Sequence, residues 1–277
     1  MTDLVDLSEL EGEDLQARLG DAVTGVSRDR AVDSAPQVTV TLRDPQRRLV
    51  TSPLLQQVAR LDVDGVAYRL VQARKSGSQL SLSFEDDMVA ALRKATGYVD
   101  AAAGTTRRSE FVRRLLDGAP ATVERSPEST RVQLARGQEE DDDDGEEESS
   151  WEAVGRLAED IGWRWFVDGG RGFFVPDEAL RRDRDSRRWR EHDGPVGAID
   201  YDLDVRKPVD SASTTVRANP GTVNPGDPIT VDGLGDADGG WIVKSVREQA
   251  GSSEVSVDLT RPQEALEEPD EEESADA

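Results

Sequence analysis

Cysteine is absent from the chain and histidine occurs once, at His192. These two shortages remove much of the familiar chemistry of protein sites. Without thiols there is no disulfide framework, no thiolate zinc site and no cysteine nucleophile. Neither a Cys-His peptidase nor a histidine-rich metal centre can be assembled. A Ser-His-Asp triad would have to use His192, which lies in the charged stretch 181–194 (RRDRDSRRWREHDG) and not at a strand end. Long apolar runs are missing too: no stretch of about 18 apolar residues is present to span a bilayer. Asp3 and Asp6 stand where a secretory signal would carry Lys or Arg, so export by a signal is not expected. Gly235, Gly239 and Gly240 are not followed by the Gly-Lys-Ser/Thr of a phosphate loop and read as turn residues. Carboxylates abound, but none sits in the clearly apolar setting that raises the pKa of a glycosidase acid. No catalytic residue, cofactor-binding residue or metal ligand is therefore assigned. No cofactor is expected, and the chain reads as a non-enzyme.

Lysine is also scarce. Lys75, Lys94, Lys207 and Lys244 are four of 34 basic residues, a bias that fits GC-rich coding. The net charge is −24, but its distribution is uneven: 139–148 (EEDDDDGEEE) and 264–277 (EALEEPDEEESADA) together hold seventeen carboxylates. Such runs are expected to be a solvated loop and tail. A calcium loop would need spaced ligands around a central Gly with a closing Glu. The acidity also argues against adhesion to nucleic acid, where cations neutralising phosphates dominate.

What is present is mostly alternation. Val38, Val40 and Leu42 in 36–44 (PQVTVTLRD) have the period of a half-buried strand. Leu61-Asp62-Val63 and the run from Val66 to Val71 flank Asp64-Gly65, a hairpin dipeptide, and Leu80, Leu82 and Phe84 alternate again. The period then becomes helical. Asp86 or Asp87 is placed to cap a helix through Met88, Val89 and Leu92; Ser109 is placed to cap another with Val112, Leu115 and Leu116 that ends at Gly118. Ser149 and Glu152 have capping-box spacing ahead of Trp151, Val154, Leu157, Ala158 and Ile161, with Gly162 as the stop. Asp168-Gly169-Gly170-Arg171 joins 163–167 to 172–175 as a hairpin. Its aromatics, Trp163, Trp165, Phe166, Phe173 and Phe174, read as core beneath the Trp151 helix in preference to a carbohydrate or base platform. Arg181, Arg182, Arg184, Arg187, Arg188 and Arg190 interleave with acids, as in a salt-bridged linker. Strands return at 199–203, 214–217, 228–231, 241–246 and 254–259.

The two β regions share spacing as well as class. Val63-Asp64-Gly65 matches Val231-Asp232-Gly233. Tyr68, Leu70, Ala73 and Arg74 match Trp241, Val243, Val246 and Arg247, and Leu80-Ser81-Leu82 with Phe84 matches Val255-Ser256-Val257 with Leu259. This spacing fits a duplication. Two unrelated meanders also share alternation and glycine turns, so both origins stay open at this level. The fold class expected is mainly β with an α+β insert, two related small β-barrels flanking a helix-and-hairpin domain. The divisions expected are 1–100 (barrel with a closing helix), 101–194 (insert with the acidic loop 139–148), 195–262 (second barrel) and 263–277 (disordered acidic tail).

Three places resemble the tail-hub or baseplate-hub family of tailed phages and related injection machines, including minor tail proteins of actinobacterial phages. They are 38–49 (VTVTLRDPQRRL) with Ser52-Pro53-Leu54-Leu55; Leu157 to Trp163 through Phe174-Val175-Pro176; and Pro225-Gly226-Asp227 through Trp241-Ile242-Val243 to Pro262. The resemblance covers most of 15–262. It implies a structural protein of the virion tail tip, assembled in the host cytoplasm. It further implies a homotrimer that continues the tail tube, lines a channel through which DNA passes without specific binding, and has pseudo-sixfold symmetry. The partners it implies are the tail tube or distal tail protein, the tape measure protein and a tail-tip fibre or spike, with no membrane-spanning segment. The alternative is a tail-tip module whose insert recognises a host glycan or protein.

Nine carboxylates in ten residues have too little apolar surface to offset the entropy of ordering. Replacing 139–148 by a short Gly/Ser linker is expected to leave the melting temperature within a few degrees of the parent, as followed by circular dichroism.

Overall fold

The computed structural model describes residues 22–45, 60–96, 107–127, 148–201 and 209–263. Arg47-Arg48-Leu49, Ser52-Pro53-Leu54-Leu55, residues 139–147, Leu203 and the tail 264–277 lie outside the described residues.

The first β region contains β1 (Val23–Ala31), β2 (Gln37–Arg43), β3 (Arg60–Val63), β4 (Val66–Ser76) and β5 (Gln79–Asp86). On β2, Val38, Val40 and Leu42 are buried while Thr39 and Thr41 are half-buried and Gln37 and Arg43 exposed, the period of a sheet with one covered face. Asp64 and Gly65 both adopt positive φ (55° and 79°), which lets two residues connect β3 to β4. Leu61, Val63, Tyr68, Leu80, Leu82 and Phe84 complete this core.

After β5 the chain forms α1 (Asp87–Lys94), then α2 (Arg108–Leu115), β6 (Ala121–Val123), α3 (Ser150–Glu159), β7 (Arg164–Asp168) and β8 (Arg171–Val175), followed by α4 (Asp177–Asp183) and β9 (Arg187–Trp189). Asp86 caps α1, its carboxylate accepting from the Met88 N–H at 2.9 Å. Ser149 and Glu152 form the reciprocal capping box. Ser109 is not a cap. The helix starts one residue earlier behind Arg107, and Ser109 is buried, exchanging N–H to Oγ hydrogen bonds with Ser126 (3.1 and 3.2 Å). The acidic run is anchored at its end, where Glu148 accepts two hydrogen bonds from Arg156 (2.9 and 3.0 Å). The linker replacement therefore tests the run itself most cleanly when it stops at residue 147.

The insert sheet has the order β6-β8-β7. Trp163, Trp165 and Phe174 form its core with Phe111, Val154, Leu157 and Ile161, and Val89 and Leu92 of α1 enter the same core. Phe166 turns the other way. It is fully buried with Val32, Val175, Ala179, Leu180 and Ile242 and stacks on Phe173 at 4.9 Å, which seats the insert against both β regions. The aromatic cluster is thus packing material, as its alternation implies.

The second β region contains β10 (Val196–Tyr201), β11 (Ser211–Arg217), β12 (Pro228–Val231), β13 (Gly239–Gln249) and β14 (Glu254–Thr260). Trp241 is buried at its centre, donating its indole N–H to Ala237 O (2.9 Å) beneath the Arg261 guanidinium, 4.0 Å from the ring.

The two β regions repeat strand for strand. Their orders are β1-β2-β5-β4-β3 and β10-β11-β14-β13-β12, with every neighbour antiparallel. The registers repeat too. Phe84 lies between Val38 and Leu70 as Leu259 lies between Ala212 and Val243. Leu82 faces Ala73 as Val257 faces Val246, and Leu61 faces Tyr68 as Ile229 faces Trp241. Even the β-bulge recurs, between Leu70 and Gln72 in one copy and between Val243 and Ser245 in the other. The copies differ at the hairpin: Asp232 to Asp238, with a 3-10 turn over Gly235–Ala237, replace the two-residue turn of the first.

The chain is mainly β with an α+β insert, but its β regions are not closed barrels. β1 runs beside β13, so the two sets fuse into one eleven-stranded sheet along the path β10-β11-β14-β13-β1-β2-β5-β4-β3. Among the described residues no pairing joins β3 to β1 or β12 to β10. β9 adds to the outer side of β12 in parallel.

Asp86 is 1% exposed, and burial pushes its carboxyl up to about 6, aided by the charges of Asp87 and Asp168 and opposed by the Met88 hydrogen bond. Because the folded value stands above the unfolded one, near 3.9, the folded chain takes up a proton between them. This group's contribution to stability therefore improves as pH falls from about 6 toward about 4, and its penalty is complete above about 6. Asp86→Asn keeps a cap acceptor and removes the charge. Its melting temperature is expected to exceed the parent's by a few degrees near pH 7.5 and to match it near pH 4.5.

Candidate assembly surface

β1 meets β13 in the register Ser27↔Gln249 to Ala31↔Ser245. Alternate residues face one side, so Arg28 and Arg30 both converge on Glu248, which is 1% exposed. Arg28 Nε donates to Glu248 Oε2 (2.7 Å); Arg30 Nη2 and the Gly221 N–H donate to Oε1 (3.1 and 2.6 Å). Each guanidinium then reaches a different part of the chain. Arg28 Nη1 donates to Asp64 Oδ2 in the β3–β4 turn (2.7 Å). Arg30 Nη1 donates to Asp168 Oδ1 at the end of β7 (2.9 Å) and to Asn224 Oδ1 (3.0 Å), while Nη2 also reaches Val223 O (2.9 Å). One carboxylate thus ties both β regions and the insert. Burial works against the Arg28 charge, but the hydrogen bond and field of Glu248 outweigh it and hold the guanidinium pKa above its ordinary value. On the exposed face of the same strand pair, Arg247 is bound to Asp29.

Among the described residues the fused sheet leaves two edges without a strand. On the side away from β14, β13 carries β12 along 239–242 and β1 along 245–249. On the matching side of β4, β3 covers 66–69, and no described strand covers 71–76. Val71, the bulged residue there, is 49% exposed and is the one large hydrophobic side chain exposed among the described residues. β10 pairs with β11 alone, and its other edge is met by Glu191, whose carboxylate accepts from the Ile199 N–H (3.1 Å). His192 lies in the turn beside it, its own N–H reaching Gly197 O (3.3 Å).

A polar cleft of about 410 Å³ separates the insert from the second β region, lined by Asp168, Arg184, Asp185, Arg187, Asn224 and Asp227. Its guanidiniums are already engaged, Arg184 with Pro225 O and Asp227, and Arg187 with Thr222 O. The arginine linker is therefore salt-bridged as its sequence implies, but largely to the second β region and β6 flank (Arg182 to Glu124, Arg188 to Asp232). Among the described residues no group of three or more His, Asp or Glu is arranged to hold a metal ion. No helix is long and apolar enough to cross a membrane among them.

No protein-family model matches the chain, and no curated protein is similar to it in sequence. Solved structures are similar in fold. The 43 kDa tail protein of prophage MuSo2 from Shewanella oneidensis aligns with a TM-score of 0.58 at 14% identity, over 87% of this chain and 93% of that one. The fold is that of phage tail proteins. The tail protein from Neisseria meningitidis MC58 gives a TM-score of 0.57 at 11% identity, over 87% of this chain and 92% of its own. A type VI secretion component of E. coli, c3393, itself described as similar to the T4 tail proteins gp27 and gp5, gives 0.53 at 11% over 87% and 73%.

Truncating the shared carboxylate leaves two guanidiniums buried without their partner. Glu248→Ala is expected to lower the unfolding free energy by about 3–5 kcal/mol in urea titrations, and Glu248→Gln, which keeps an acceptor, by less.

Proposed function

We propose that this chain is a structural tail hub: three copies form a ring with pseudo-sixfold symmetry that joins the tail tube to the tail tip and lines the channel. The observation that carries this reading is the strand-for-strand repeat, bulge included. Three chains present six similar β units, so a threefold ring meets a sixfold tube without a large mismatch. The fold shared with phage tail proteins and with a type VI secretion component supports the same placement. The chain's divisions serve this role as two ring units (1–100 and 195–262), an insert (101–194) and an acidic tail (263–277). Its partners are the tail tube or distal tail protein above, the tape measure protein within and a fibre or spike below. Arginine in place of lysine fits the GC-rich coding of an actinobacterial phage.

The role is one of architecture and not of turnover. DNA passes through the channel without specific binding, since each exposed cation in the wall would add affinity through counterion release. Native mass measurement is expected to give three copies of the chain, and electron microscopy of the particle to place them at the end of the tube. A monomer that binds host cell wall and no tail component would replace the hub by a host-recognition module.

A further inference from the structure

Besides the hairpin, the two repeats differ at their open edges. β13 has a visitor, β1, on the segment just past its bulge, and the equivalent segment of β4 has none among the described residues. The equivalent of β1 is β10: Val26 faces Val40 as Ile199 faces Thr214, and Arg28 faces Val38 as Tyr201 faces Ala212. Among the described residues β10 has no strand on its outer side. Within the described residues each chain therefore carries one unfilled seat and one unseated strand, and the β1–β13 pairing within the same chain shows how they fit.

We infer that the edge of β4 beyond its bulge, at Lys75 and Ser76, receives Asp200 and Tyr201 of β10 of the next copy, in the register that Ser27 and Arg28 of β1 adopt on β13. This rests on the ring reading above and specifies its contact. Ser27↔Gln249 becomes Asp200↔Ser76, and Arg28↔Glu248 becomes Tyr201↔Lys75. The hydrogen-bond phase is fixed as well. Val32 N–H donates to Lys244 O and Ala250 N–H to Val26 O, so the even-numbered residues of β1 form the hydrogen-bonded pairs. Tyr201 and Lys75 accordingly exchange backbone hydrogen bonds, and Asp200 and Ser76 form a close, non-hydrogen-bonded pair on the exposed face. On that face Arg74 takes the place of Arg247, and Asp200 lies diagonally within its reach.

The edge chemistry supports a second copy as the occupant. The segment 71–76 contains no proline and carries the exposed Val71; Lys75 is bound to Asp44 of its own chain (3.6 Å), so the charge this edge presents is Arg74. The incoming strand brings the opposite sign. The two edges lie on different strands of one chain, so the contact is heterologous and closes into a ring when the rotation per copy permits.

The absence of cysteine gives a clean test. The double variant Ser76→Cys/Asp200→Cys, as the full chain, is oxidised mildly and run without reductant. A covalent trimer that ends the ladder and collapses on reduction is expected, with neither single variant forming it. Lys75→Cys/Asp200→Cys, one residue out of register and facing opposite sides, is expected to stay uncrosslinked. A trimer by native mass with no disulfide in this register overturns the inference and leaves the ring standing. A monomer by native mass overturns both, and an intrachain disulfide shows instead that the edges close on their own chain. Arg74→Glu, an exposed change that spares the core, is expected to weaken association about tenfold with an unchanged circular dichroism spectrum. Undiminished association in that variant counts against the contact.

Discussion

Glu248 is the constraint on which the arrangement depends. Its carboxylate is buried at the seam between two repeats, and a buried charge is costly unless its lone pairs are filled. Here they are filled by Arg28, Arg30 and the Gly221 amide, and each guanidinium directs a further donor to a different part of the chain. A hydrophobic seam of equal volume would hold β1 on β13 as firmly. It would not fix which residue of β1 lies opposite which residue of β13, because a slipped apolar strand still buries apolar surface. Two arginines on alternate positions around one acid accept a single register, and the hairpin, the insert and the loop at Val223 are then placed by that choice.

The same feature explains what the sequence left hidden. β2, β4, β5, β13 and β14 are legible because their inward positions are Val, Leu, Phe, Tyr and Trp, and alternation with polar residues is the signature of a half-covered sheet. β1 is not. Its inward positions include Arg28 and Arg30, so Ser27-Arg28-Asp29-Arg30 shows no apolar alternation to mark a strand although both arginines are buried. Losing β1 also loses the seam, which is why separate barrels are the natural expectation and a fused sheet the outcome. Asp86 is missed for a related reason: a capping aspartate and a desolvated one look alike until the packing around Tyr68 and α1 is known.

The insert was easier to read than the surface it helps to build. A capping box, a Gly stop and a Gly-Gly hairpin are local devices, and each is where its spacing puts it. An open sheet edge is not a local device. The difference shows only in the folded chain, where residues 71–74 are all exposed while Val246 and Glu248 of the counterpart on β13 are buried. Only the comparison of two repeats in one chain separates the occupied edge from the vacant one.

The insert's exit bears on how load travels through the molecule. β9 leaves the insert and lies parallel to β12, pairing Arg187, Arg188 and Trp189 with Ile229, Thr230 and Val231, while Trp189 is buried in the second core. A pull on the insert along β9 loads these pairings together in shear; they do not peel apart one by one. The insert is thus a lever fixed to the sheet, and a push or pull at its far side is delivered to β12 and, through it, to the Trp241 core.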